Sequence, residues 1–170
     1  MLKKLITLII IIEIILIPLI ITSNQKQIII KKTYTLNIEK KELPIAKIII
    51  DKLDIDEDIY HIDSDKNNIE QHVTILNGSN YPDILILAAH SGTGKIAYFE
   101  RLDELNINDE ILIQYKNDKN KYIVKKIWEE KKNGKIHIDN DKNQLILTTC
   151  SPKHKGYQLI ISCTKKESIS

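Results

Sequence analysis

Between Ile45 and Cys163 the chain returns again and again to short aliphatic runs, each closed by a turn-forming cluster. The runs are Ile45–Ile50, Val73–Leu76, Ile84–Ala89, Glu110–Tyr115, Tyr122–Ile127, Lys135–Ile138, Leu145–Thr149 and Tyr157–Cys163. Asn77-Gly78-Ser79-Asn80, Asn117-Asp118-Lys119-Asn120 and Asn133-Gly134 are among the clusters between them. Runs this short and this frequent predict an all-β sandwich or barrel. Two stretches depart from the pattern. Tyr98, Phe99, Leu102 and Leu105 are spaced for one face of a helix over Ala97 to Leu105, and Asp65 to Gln71 predicts a second short helix.

The amino-terminal part has a different character. Residues Leu5 to Ile21 are apolar except for Thr7, Glu13 and Pro18, and Lys3 and Lys4 precede them. Seventeen helical residues span about 25 Å, just short of the ~30 Å hydrocarbon core. No small-x-small pattern follows the segment, so it reads as an uncleaved anchor rather than a signal peptide. Lys26, Lys31 and Lys32 follow the span, so the positive charges are nearly balanced on its two sides and leave the orientation open. The expected organisation is a tip at 1–4, a transmembrane anchor at 5–22, a polar stalk at 23–42, a folded domain at 43–166 and a tail at 167–170.

A formal charge of +2 predicts no strong attraction to nucleic acid. No His and Cys pair shows metal-ligand spacing, so neither a metal nor a cofactor is expected. Asp54, Asp56, Glu57 and Asp58 read as a solvated acidic loop. The two cysteines, Cys150 and Cys163, are offset across a short turn beyond the ~7 Å Cα limit of a disulfide, so two free thiols are expected, with Cys163 a small core residue.

Two runs end in reactive groups. Leu145 to Thr149 delivers Cys150 before Ser151-Pro152, and Ile84 to Ala89 delivers His90 before Ser91-Gly92. A thiolate is the useful nucleophile, whereas a free cysteine has a pKa of about 8.5. An imidazole close by can take the thiol proton and later give it to a leaving amine. Such a pair also needs a stabiliser for the oxyanion, and the groups of Thr149 and Ser151 flank the thiol. His61, His72, His137 and His154 lie in polar surroundings and read as surface residues, with His154 the rival base.

These residues resemble the sortase family, the cysteine transpeptidases of Gram-positive bacterial surfaces. Leu147-Thr148-Thr149-Cys150 resembles the end of the family's TLxTC motif, with Ile146 in place of its first Thr. Leu87-Ala88-Ala89-His90-Ser91 resembles the histidine motif, with Ala89 where Gly is usual. Tyr98 to Leu105 followed by Asn108-Asp109-Glu110-Ile111 resembles a further family stretch. Pro44 to Ile50 and Leu53-Asp54-Ile55-Asp56 resemble the opening strands. The resemblance covers about residues 43 to 166. It implies a closed eight-stranded β-barrel with one or two short helices, held by the anchor on the outer face of the cell membrane. It also implies that Cys150 attacks an LPxTG-like sorting signal on a surface protein, with His90 as acid and base and Thr149 and Ser151 at the substrate. An amine of peptidoglycan or of a pilin then releases the thioester. An extracellular cysteine hydrolase or a weakened sortase-like binding domain are the alternatives.

One position departs from the family. An arginine is usual at the start of the strand after the cysteine loop, and here Gln158 stands in its place. Arg101, the chain's one arginine, lies elsewhere by motif. Three readings follow: Gln158 donates as a neutral substitute, Lys153 or Lys155 reaches in from the loop, or activity is weakened.

Overall fold

Strands β1 (Ala46–Ile50), β2 (Ile55–Ile59), β3 (Thr74–Ile75), β4 (Ile84–Ala88), β5 (Glu110–Tyr115), β6 (Asp118–Lys131), β7 (Gln144–Cys150) and β8 (Tyr157–Lys165) form one sheet in a computed structural model of the chain. The structure describes residues 42–166 apart from 77, 78, 80–82, 117, 140 and 141, together with 22, 25 and 26. The chain divides into two units, Met1–Glu42 and Leu43–Ser170, and the sheet belongs to the second. The expected anchor and stalk lie almost wholly outside the described residues, as does the tail. Among the described residues no helix is long and apolar enough to cross a membrane.

The strand order is β2-β1-β5-β6-β8-β7-β4-β3. Neighbours run antiparallel except β4 and β7, which are parallel. The two edge strands meet where Ile59 bridges Val73, so the barrel is nearly closed, with a bridge rather than a full ladder at its seam. Period-two alternation turns Ile48, Ile50, Ile111, Ile113, Leu145, Leu147, Leu159, Ile161 and Cys163 into one buried core. The other face of β4, β7 and β8 is covered as well. Ile86, Ile146 and Ile160 form a second buried cluster under Leu76, Ile84, Trp128, Ile136 and Ile138. Burial on both faces is why these strands read as continuous apolar runs rather than as alternating ones.

A bulge in β6 between Val124 and Lys126 matters for the site. Before it, Tyr122 and Val124 face the core; after it, Ile127 faces the core and Trp128 the outer cluster. One extra residue inverts the alternation. Glu130 is thereby turned to the outer face, opposite Gln158.

Several expected elements are corrected. The helix expected over Ala97 to Leu105 is a set of turns with one 3-10 turn, Leu102–Glu104. Its backbone bonds run three residues back (Glu100 to Ala97, Leu102 to Phe99, Leu105 to Leu102), not four, although Phe99, Leu102 and Leu105 are buried as the pattern required. A second 3-10 turn, Asp51–Leu53, links β1 to β2. Asp65 to Gln71 forms turns, pinned by the Asn67 side chain to the backbone of Ile62 and Ile75. Lys135 to Ile138 is not a strand: it crosses the outer face, where Ile136 and Ile138 pack on the second cluster. Conversely, the acidic segment read as a loop is part of β2. Ile55 and Ile59 face the core, and Lys47 on β1 neutralises Asp56 and Asp58. Burial pushes the Glu57 carboxyl up, with Asp58 and Asp56 adding to the effect.

Candidate active site

The parallel pairing of β4 and β7 sets the geometry. Ala88 lies opposite Thr148, and the Ala89 N–H donates to the Thr148 carbonyl at 3.4 Å. The Thr149 hydroxyl, buried, donates to the Ala89 carbonyl at 2.8 Å. The parallel ladder ends at Ala88 and Thr148; two residues further along each chain stand His90 and Cys150, on the same side by strand alternation. Phe99 holds the histidine from the other side: its N–H donates to the His90 carbonyl at 3.0 Å. Cys150 in turn lies opposite Gln158, and Gln158 opposite Glu130. A row of Cys150, Gln158 and Glu130 thus crosses β7, β8 and β6 on the outer face, with His90 two residues past the end of β4.

Cys150 is exposed and Cys163 buried, and both are free thiols. Burial pushes the Cys163 thiol up to about 12, so it stays protonated at neutral pH. Brief alkylation of the folded protein at pH 7.5 is therefore expected to add one label, on Cys150, and unfolding to release the second. Two labels on the folded chain would contradict the packing of Cys163.

The two groups at the strand ends have different polar neighbours. His90 Nε2 lies 3.2 Å from Glu70 Oε1. A carboxylate only accepts, so the Nε2–H tautomer donates there and leaves Nδ1 as the basic nitrogen. Glu70 was missed in the sequence because its turn carries no motif; it reaches His90 only through the tertiary fold. The Cys150 sulfur accepts from Lys132 Nζ at 3.4 Å. No described hydrogen bond joins Cys150 to His90; such contacts are often long before substrate arrives.

Gln158 is buried, and its amide nitrogen is fully used. Nε2 donates to Glu130 Oε1 at 3.0 Å and to the Lys135 carbonyl at 2.7 Å. An amide nitrogen has two hydrogens, so neither is left over. Glu130 also accepts from the His137 backbone at 3.2 Å and faces His137 Nδ1 at 2.9 Å. Burial pushes the Glu130 carboxyl up, but the bonds from His137 and Gln158 outweigh it and hold the group below its ordinary range. Gln158 and Glu130 together fasten the segment from Lys132 to His137 across the outer face.

The remaining predicted residues serve the loop. Ser151 Oγ donates to Glu129 Oε1 at 2.8 Å and accepts from the N–H groups of Lys153 and His154. The hydroxyl protons of Thr149 and Ser151 are therefore both given within the protein. His154 Nδ1 lies 2.5 Å from Glu129 Oε2, and this bond holds the Glu129 carboxyl low. Glu129 belongs to the row of Leu159 and Thr149, the face opposite to Cys150. Strand alternation thus ties the rival base His154 to the wrong face. Arg101 pairs with Glu104 and Asp54. Among the described residues no group of three or more His, Cys, Asp or Glu is arranged for a metal ion.

The Sortase domain family model matches residues 48–166. No curated protein sequence matches the chain. Among solved structures, sortase A from Corynebacterium diphtheriae, a lid mutant, is similar at 27% identity and TM-score 0.65 over 78% of this chain and 76% of that one. Sortase C1 from Streptococcus agalactiae is similar at 26% identity and TM-score 0.65, over 77% of this chain and 71% of that one. Sortase C of Streptococcus pneumoniae shares the fold at 18% identity and TM-score 0.65, over 78% and 73%. A family model spans most of the folded unit, and solved sortases share its barrel: the chain belongs to the sortase family.

Proposed function

We propose that the protein is a membrane-anchored cysteine transpeptidase, with residues 5–22 as its anchor and the barrel outside the cell. The observation that supports this reading most is the in-register parallel pairing of β4 and β7, with an exposed thiol at the end of β7 and His90 two residues past the end of β4. Cys150 gives its proton to His90 Nδ1, and the thiolate adds to the carbonyl carbon of the Thr, or a similar residue, within an LPxTG-like motif. The carbonyl electron pair moves to oxygen. Collapse of that oxyanion expels the amine of the downstream residue, which takes the proton from His90, and leaves a thioester on Cys150. An acceptor amine of peptidoglycan or a pilin lysine then attacks, gives its proton to His90, and releases the thiolate. Glu70 holds the imidazole in the tautomer this sequence needs. Thr149 and Ser151 act through the strand ends they fasten, not through free hydroxyls.

Water could resolve the same thioester, which would make the protein a hydrolase. The two are separated by the product. With an LPxTG-type peptide and increasing concentrations of a primary amine such as triglycine, the amide adduct is expected to replace the hydrolysed acid. A product that remains the free acid at every amine concentration would sink the transpeptidase reading and favour hydrolysis.

A further inference from the structure

We propose that Lys132 is the catalytic cation of this site, and that Gln158 is the positioning residue that fixes it. The inference deepens the transpeptidase reading and rests on it for the identity of the substrate. Three observations carry it. First, Lys132 Nζ is in hydrogen-bond contact with the Cys150 sulfur, at 3.4 Å. Second, the position opposite the thiol holds an uncharged amide whose two hydrogens are already given to Glu130 and to the Lys135 carbonyl. The amide that faces Cys150 has nothing left to offer an oxyanion. Third, the chain is built to bring Lys132 there. The bulge in β6 turns Glu130 to the thiol's face, and Lys132 follows with the same parity. The Lys132 N–H donates to the Gly156 carbonyl at 2.8 Å, closing β6 against the start of β8. Gln158 and Glu130 then hold Lys135 and His137, the next turn of the same segment.

The chemistry follows from where charge appears. Before attack, the ammonium stabilises the thiolate that His90 generates. When sulfur bonds to the carbonyl carbon, negative charge moves to an oxygen on that same carbon. A donor in contact with sulfur is then within reach of the oxyanion, for which donors work best at about 2.7–3.1 Å. Lys132 carries no proton through the cycle; it donates a hydrogen bond in each charged state, and the proton balance stays with His90. Glu130, an anion on the same face, makes a compensating cation beside the thiolate the more necessary. Lys153 and Lys155 sit on the loop whose polar groups, Ser151 and His154, are tied to Glu129 on the opposite face.

The test uses the full chain in mild detergent. Lys132→Met should lower kcat on the sorting peptide about 10²–10³-fold with little change in KM, the size of losing one oxyanion donor. It should also slow iodoacetamide alkylation of Cys150 at pH 7.5 several-fold, a readout that needs no peptide. Lys132→Arg, which keeps the charge, should retain more of both than Lys132→Met. Gln158→Ala should lower kcat in the wild-type background but add little once Lys132 is Met, because the two act as one unit. Lys153→Ala should leave both readouts near wild type. Wild-type kcat and alkylation in Lys132→Met, or additive losses in the double variant, would overturn the proposal. A wild-type chain that turns over no sorting peptide would count against the transpeptidase reading instead, and slower alkylation of Lys132→Met would still support the contact.

Discussion

Cys150→Ala is expected to abolish both cleavage and transfer of a sorting peptide, reducing turnover to the background of the peptide alone, while the protein keeps its fold. The loss is complete because, among the described residues, no second nucleophile is placed to replace the thiol. Cys163 lies in the core and its thiol is pushed up to about 12, so it is neither accessible nor ionised. Ser151 gives its hydroxyl proton to Glu129. The fold survives because Cys150 is exposed at the end of β7, and removing a sulfur there opens no cavity. Substitutions of this kind stay within about 0.5 kcal/mol of the parent stability. Chemical unfolding of the two proteins should give the same midpoint. Residual turnover in a folded Cys150→Ala protein would remove Cys150 as the nucleophile.

His90→Ala should lower kcat about 10²–10⁴-fold, the usual worth of a positioned acid–base group. The imidazole has two duties in the proposed cycle: it takes the thiol proton and returns it to a leaving amine. Its loss should therefore slow acylation and transfer alike. His154→Ala makes the comparison sharp. His154 also has a carboxylate partner, Glu129, but on the opposite face of the sheet, so its replacement should leave kcat within a few fold of wild type. The reverse ranking in a peptide assay would transfer the role of base to His154. Glu70→Gln should fall between the two, since an amide side chain still offers an acceptor to Nε2–H but no charge.

Most strands were legible because their signal is strong and local. Ile84 to Ala88 and Leu145 to Thr149 are buried on both faces and read as unbroken aliphatic runs. Their ends carried His90 and Cys150, and the family resemblance fixed the order. Where pairing partners or hydrogen-bond spacing decide, the pattern misled. β2, which the resemblance at Leu53 to Asp56 marked, is hidden from composition by Asp56, Glu57 and Asp58, which disfavour strands in general but here meet Lys47 across the ladder. Lys135 to Ile138 has a strand's composition but no neighbouring strand, and it spends its isoleucines covering the outer cluster. The buried stripe of Phe99, Leu102 and Leu105 is real, yet i→i−3 bonds close it as turns.

The electrostatics of the site were legible only in part. The absence of an arginine at Gln158 was plain in the sequence. What surrounds the thiol in its place was not, because Lys132 reaches Cys150 through a bulge that inverts the alternation of β6. One inserted residue in a long strand leaves no mark in a single sequence. The same is true of Glu70, brought to His90 by the turns that Asn67 pins.

In the proposed reaction Cys150 carries the cleaved peptide as a thioester. Intact-mass spectrometry of the full chain, incubated with an LPxTG-type peptide without amine, tests it directly. A single adduct with the mass of the amino-terminal peptide fragment is expected, mapped to Cys150 and discharged on adding amine. Product formation without any adduct on Cys150, or an adduct mapped to another residue, would contradict it.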